Sequence, residues 1–155
     1  MTKYEELQQA AFDRNLKVIE DLPFESGADG MIYGRVIGLS DQLVSCREKA
    51  CILVEEIAHY DVNTGNILDQ TKAWNRQQEL KARRLAFDRM SVLQGLIESF
   101  KAGDRNLYEV AERLNVTEPF LAEALKDYRA RFPKGVQVDN FWISFRPHLT
   151  ITGVE

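Results

Sequence analysis

Two cysteines, two histidines and four prolines are all that the 155 residues contain. Cys46 and Cys51 stand five apart on one expected helix, so their side chains point in different directions and an internal disulfide between them is not expected. Reduced, buried thiols of a cytosolic protein are the expected state. No apolar run approaches the roughly 20 residues that a membrane-crossing helix needs. The first residues are polar and acidic, unlike a secretion signal, so the expected location is the cytoplasm. An excess of positive charge is missing too: 20 Lys and Arg face 24 Asp and Glu, for a net charge of −4. That balance counts against a protein that lives on nucleic acid, although it leaves room for a local basic face. No internal repeat or low-complexity tract occurs.

What is present is ordinary for a globular chain, with 45% hydrophobic and 28% charged residues. A core of useful size is expected without disulfides or a structural metal. Residues 3–20 read as one amphipathic helix, with Tyr4, Leu7, Ala11, Leu16, Val18 and Ile19 at roughly helical intervals. Ser26-Gly27-Ala28-Asp29-Gly30 is a turn, followed by short β-favouring pieces at 31–33 and 35–39 with Gly34 between them. Ser45 and Glu48 form a capping box for a central helix. The chain turns polar after His59, with a loop at 61–66 that Ile67-Leu68-Asp69 anchors. A charged helix covers 72–90, on which Lys72, Arg76, Lys81, Arg83, Arg84 and Arg89 read as a solvated face. Its apolar stripe of Ala82, Leu85, Ala86 and Met90 continues into Leu93, Leu96, Ile97 and Phe100, with Gly95 dividing it and Gly103 ending it. Two helices at 107–114 and 118–131 are joined by Asn115-Val116-Thr117, and the tail forms a hairpin turning at Asp139-Asn140. In that hairpin Phe141, Trp142 and Phe145 are expected to be core.

These readings define an α+β fold: a small sheet, a central helix, and a helical C-terminal half with a final hairpin. Residues 1–100 form the core. Residues 101–155 carry the paired helices and hairpin, packed on it as one domain.

The chemistry gathers on the central helix at Glu55, Glu56 and His59. Ala50, Cys51, Leu53, Val54, Ile57 and Ala58 make that helix apolar on most sides, and charges placed there need partners. Glu55 and Glu56 precede His59 by four and three residues, so all three crowd one strip. The spacing is that of the H-E-x-x-H zinc-peptidase helix, with Glu55 where the first histidine stands. By spacing, Glu56 is the general base, while His59 and Glu55 are ligands; a carboxylate oxygen binds zinc at about the distance of a histidine nitrogen. On spacing alone, a solvated acidic face and a hydrogen-bonded core imidazole are the better account of the same residues. A third ligand must come from another element. Glu79 is the leading candidate, because it falls three and seven residues before Ala82 and Ala86, on the stripe expected to be buried, with Asn75 one turn earlier in support. Asp61 and Asp69 are weaker candidates, and His148 reads as a surface residue of the tail.

Several segments taken together resemble the ImmA/IrrE family of small metallopeptidases of phages and mobile elements. They are Val36-Ile37-Gly38-Leu39, the run from Arg47 to His59, Thr64-Gly65-Asn66-Ile67-Leu68-Asp69, Asn75-Arg76-Gln77-Gln78-Glu79 with Ala82 and Ala86, and the run from Tyr108 to Glu118. The resemblance spans nearly the whole chain. It implies a zincin-like core, a zinc ion, Glu56 as base, and His59 with an acid of the second helix as ligands. It also implies cleavage or neutralisation of a phage-type repressor. The chain departs from the family at Glu55, where histidine is typical, and at Lys81, where the family's usual second-helix acid stands and Glu79 lies two residues earlier.

Ala111, Asn115, Val116 and Leu121 occupy the positions at which helix-turn-helix proteins want a small residue, a left-handed turn residue and two apolar ones. Glu118, Glu123 and Asp127 are poorly suited to facing phosphates, offset in part by Lys126, Arg129 and Arg131, so the pair is expected to pack rather than to bind DNA. Three functions remain open on the sequence: a zinc-dependent endopeptidase acting on a repressor, a non-catalytic protein of the same shape that binds one, and a helix-turn-helix DNA-binding regulator.

Overall fold

The computed structural model describes residues 1–63 and 72–154, with the backbone alone for 72–74. The chain is α+β and divides into two compact units, Met1–Ala86 and Phe87–Glu155. The first unit contains α1 (Lys3–Asp13), β1 (Lys17–Leu22), β2 (Gly30–Tyr33), β3 (Val36–Ser40), α2 (Cys46–Asn63) and the part of α3 (Lys72–Arg89) that ends at Ala86.

The single helix expected over 3–20 is two elements. Thr2 caps α1 by accepting the Glu5 N–H, and Tyr4, Leu7 and Ala11 form its buried stripe. At Asn15 the backbone enters the left-handed region, with φ 60°, and the helix cannot continue. Val18 and Ile19, stiff at χ1 and favoured on a pleated surface, then extend into β1. Their apolar spacing suited a helix, but pairing with β3 decides the outcome: β1 runs parallel to it, Val18 opposite Ile37 and Ile19 opposite Gly38. β2 and β3 form the expected hairpin, closing at Tyr33 opposite Val36, so the sheet order is β1-β3-β2 with β2 on an edge.

Ser45 starts α2 as its spacing predicts, accepting the Glu48 N–H at 3.0 Å and donating to Glu48 Oε1 at 3.1 Å. Ala50, Cys51, Leu53, Val54, Ile57 and Ala58 are all buried. Each of the larger aliphatic side chains among them contributes about 1.5–3 kcal/mol on burial. Cys46 is exposed, against the expectation of two buried thiols, because it opens the helix before the apolar run begins. The helix also runs on to Asn63, beyond the expected loop start at Asp61. Arg14 explains part of that extension, donating Nε and Nη2 to the two Asp61 oxygens at 2.8 and 2.9 Å. A second brace ties α1, β1 and α2 together: Glu20 accepts from the Tyr4 hydroxyl and lies 3.4 Å from Lys49 Nζ. The expected anchor at Ile67, Leu68 and Asp69 lies outside the described residues.

The second unit contains the end of α3, then α4 (Val92–Ala102), α5 (Leu107–Leu114), α6 (Glu118–Arg131), β4 (Val136–Val138), β5 (Phe141–Ser144) and β6 (Thr150–Gly153). The helix break falls at Ser91, which is left-handed with φ 54°, rather than at Gly95. Gly95 lies inside α4 because Leu114 occupies the space of a side chain; an added Cβ would stand 2.4 Å from Leu114 Cγ. Gly95→Ala therefore sets a helix-propensity gain of about 1 kcal/mol against an overpacking cost of about 1–3 kcal/mol. The expected result is a lower urea midpoint for the variant; a raised midpoint would contradict the close contact. Gly103 ends α4 in the left-handed conformation, as expected.

α5 and α6 have the expected bounds. Asn115 is left-handed with φ 57°, and Thr117 caps α6 by accepting the Phe120 N–H at 3.2 Å. Ala111, Val116 and Leu121 are buried at the helix-turn-helix positions. The tail hairpin forms as read, and β6 adds a third strand to it, Ile151 opposite Ile143. The sequence signals only the hairpin around Asp139-Asn140, and nothing local marks residues 150–153 as its partner. Tyr128 lies at the centre of this unit's core, with the Phe145 and Phe132 rings 5.5 and 6.0 Å away. Phe145 is buried as expected, whereas Trp142 is 39% exposed. Among the described residues no helix is long and apolar enough to cross a membrane.

Candidate functional site

α2 and α3 bring the candidate residues together. His59 Nε2 lies 2.9 Å from Glu79 Oε2, a hydrogen bond joining residues 20 apart in sequence. The other ring nitrogen, Nδ1, stands 3.6 Å from Glu56 Oε2. The second Glu79 oxygen, Oε1, lies 3.8 Å from Arg83 Nε, one turn further along α3. A chain of alternating charge, Glu56, His59, Glu79 and Arg83, thus crosses from one helix to the other.

Burial grades along this chain. Glu56 is nearly enclosed and His59 is mostly so, while the Glu79 side chain is 50% exposed. Glu79 is therefore not on the buried stripe of α3 as its spacing suggested. That stripe passes through Gln78, Ala82 and Ala86, placing Glu79 at its border, where the carboxylate still reaches His59. Asn75, the expected support, is exposed. Asp61 is held by Arg14, and His148 is exposed in the other unit. Asp69 lies outside the described residues.

The electrostatics follow from these placements. The neighbouring Glu56 carboxylate holds the His59 imidazole pKa above its ordinary value; burial opposes this, and Glu79 adds to it. Glu55 is raised to about 7, chiefly because burial disfavours its charged form; nearby His59 and Arg83 oppose the shift, while Glu56 and Glu79 add to it. All three helix residues singled out in the sequence, together with Glu79, therefore share one electrostatic cluster.

Two members of the site have roles the sequence reading did not assign. Arg83 was read as solvated face, although it stands four residues after Glu79, the spacing of a helix ion pair. Gly30 was read as turn. It opens β2 directly against α2, where an added Cβ would lie 2.5 Å from Ile52 Cγ2 and 3.4 Å from Glu56 Cγ. Nothing local in the sequence reports that approach.

Zinc sets a geometric condition on these donors. Imidazole nitrogen and carboxylate oxygen at about 2.0–2.2 Å in a tetrahedron stand about 3.3 Å from each other. The 2.9 Å between His59 Nε2 and Glu79 Oε2 is a few tenths of an ångström closer, within reach of a small side-chain rotation. These two donors fit the ion. Among the described residues no three His, Cys, Asp or Glu side chains are gathered tightly enough to hold one as they stand.

No known protein-family model, no curated protein and no solved structure matches the chain.

Proposed function

We propose that the first unit is a zinc-dependent endopeptidase of the ImmA/IrrE type with a zincin-like core, acting on a repressor or similar regulatory protein of a phage or mobile element. The observation that carries this reading is the convergence of His59 Nε2 and Glu79 Oε2 at 2.9 Å beside Glu56. His59, Glu79 and Glu55 would hold the ion. Zinc, when bound there, would supply a Lewis acid that polarises a peptide carbonyl and acidifies water. Glu56 stands on the same strip of α2 and takes the proton as general base, then returns it to the leaving amine. Its place beneath Gly30 puts that carboxylate next to an edge strand of the sheet. An edge strand offers unpaired backbone groups to an extended peptide, which would fit a linker between repressor domains as substrate.

A second reading is favoured by the same contact. Glu79 already satisfies His59, so a protein of this shape could bind a repressor without cleaving it. Metal analysis of chain purified without chelator separates the two. The endopeptidase reading expects about one zinc per chain, falling to a small fraction of that in His59→Ala. Equal zinc in both proteins, or none in either at saturating supply, would favour the binding protein.

A further inference from the structure

Two hollows in the second unit, of about 300 and 310 Å³, adjoin through shared walls at Leu107, Leu125 and Leu149. They form one apolar groove along α5, α6 and the segment before β6. Phe100, Leu107 and Leu149 are 48%, 38% and 37% exposed along it, apolar surface that the folding of this unit leaves uncovered. Its rim is positive at both ends, with Arg105 on the first hollow and Lys126 and Arg129 on the second. Among the described residues, Asp104 is the one acid lining either hollow. It is engaged by Arg113, whose Nε and Nη2 donate to its two oxygens at 2.5 and 3.1 Å.

We propose that this groove docks an acidic amphipathic segment of a partner protein, its apolar side chains on Leu107, Leu125 and Leu149 and its carboxylates facing Arg105, Lys126 and Arg129. An apolar floor between cations matches a helix or short strand that presents leucine-like anchors beside Asp or Glu. Nucleic acid fits less well. Three rim cations are few for a phosphate track, and the floor is largely aliphatic. The groove lies wholly within the second unit, so the inference stands whether or not the first unit is catalytic.

The test is selection of a displayed library of random 15-residue peptides on the full chain, with enriched peptides then synthesised and titrated by fluorescence polarisation. Enrichment of peptides that combine Leu, Ile or Phe with Asp or Glu is expected. Their affinity should fall about tenfold or more in the Arg105→Glu, Lys126→Glu double variant and again in Leu149→Asp, and it should weaken with salt. The double variant changes exposed side chains, so it keeps the test valid if Leu149→Asp fails to fold. Absence of enrichment, selection of basic peptides, or equal binding to the double variant would overturn the proposal. So would tight, salt-sensitive binding of a 20-base-pair DNA duplex that the double variant abolishes, which would give the face to nucleic acid.

Discussion

Replacing Glu56 by Gln is expected to lower cleavage of internally quenched peptides by the zinc-loaded chain by about 10²–10⁴-fold, the usual contribution of a positioned general base. Gln keeps the length and shape of the side chain, so its packing against Gly30 should survive. What it loses is the ability to accept a proton. Zinc content should be unchanged, because His59 and Glu79 supply the converging donors. On the proposed reading this separates the base from the ligands: His59→Ala is expected to lose metal and activity together, and Glu56→Gln activity alone. A Glu56→Gln protein that cleaves at the wild-type rate would remove Glu56 from the chemistry.

The second large effect concerns Glu55 and requires no substrate. In metal-free protein its carboxyl is raised to about 7, chiefly by burial, while in the unfolded chain it titrates at its ordinary value of about 4.5. Between those values the folded chain binds the extra proton, so stability is lost as pH rises through that window. The full difference is worth about 3 kcal/mol, reached by pH 8. Gln mimics the neutral carboxyl and removes the dependence. Urea unfolding in the presence of chelator should find Glu55→Gln more stable than wild type by about that amount at pH 8, and nearly equal to it at pH 4. His59 slopes in the same direction: its raised pKa gives stability that is complete below the ordinary imidazole value and is lost as pH rises through the folded one. A gain for Glu55→Gln that does not change with pH would contradict burial of an ionisable Glu55. Zinc should reverse the sign of the substitution, since binding selects an ionised carboxylate and a neutral imidazole, and Gln offers the poorer ligand.

The elements legible in the sequence were those whose signals are local. The Ser45 cap on Glu48, the left-handed Asn115, the Thr117 cap and the Asp139-Asn140 turn each carry their instruction within four residues, and each formed as read. The apolar run of α2 marked the most buried helix of the first unit for a similar reason. Errors arose where distant partners decide. Val18 and Ile19 kept a helical spacing, but parallel pairing with β3 drew them into a strand. Gly95 reads as a divider, but Leu114 packs against it inside a continuous α4. Glu79 illustrates both sides: its spacing chose the right residue and the wrong face, because a stripe read from Ala82 and Ala86 is ambiguous by one position until Gln78 settles it. The pairing of His59 with Glu79, and the place of Gly30 above Glu56, depend on how α2, α3 and β2 meet. No spacing within one element encodes that meeting.

We propose that His59 and Glu79 are converging ligands of one metal ion beside Glu56. Anomalous diffraction at the zinc absorption edge, from crystals of the chain grown with stoichiometric zinc, tests it most directly. The expected result is a single peak about 2.0–2.2 Å from His59 Nε2 and from a Glu79 oxygen, with a Glu55 oxygen turned toward it and Glu56 close by but unbound. A site that keeps His59 bonded directly to Glu79, with zinc absent or bound elsewhere on the chain, would contradict it.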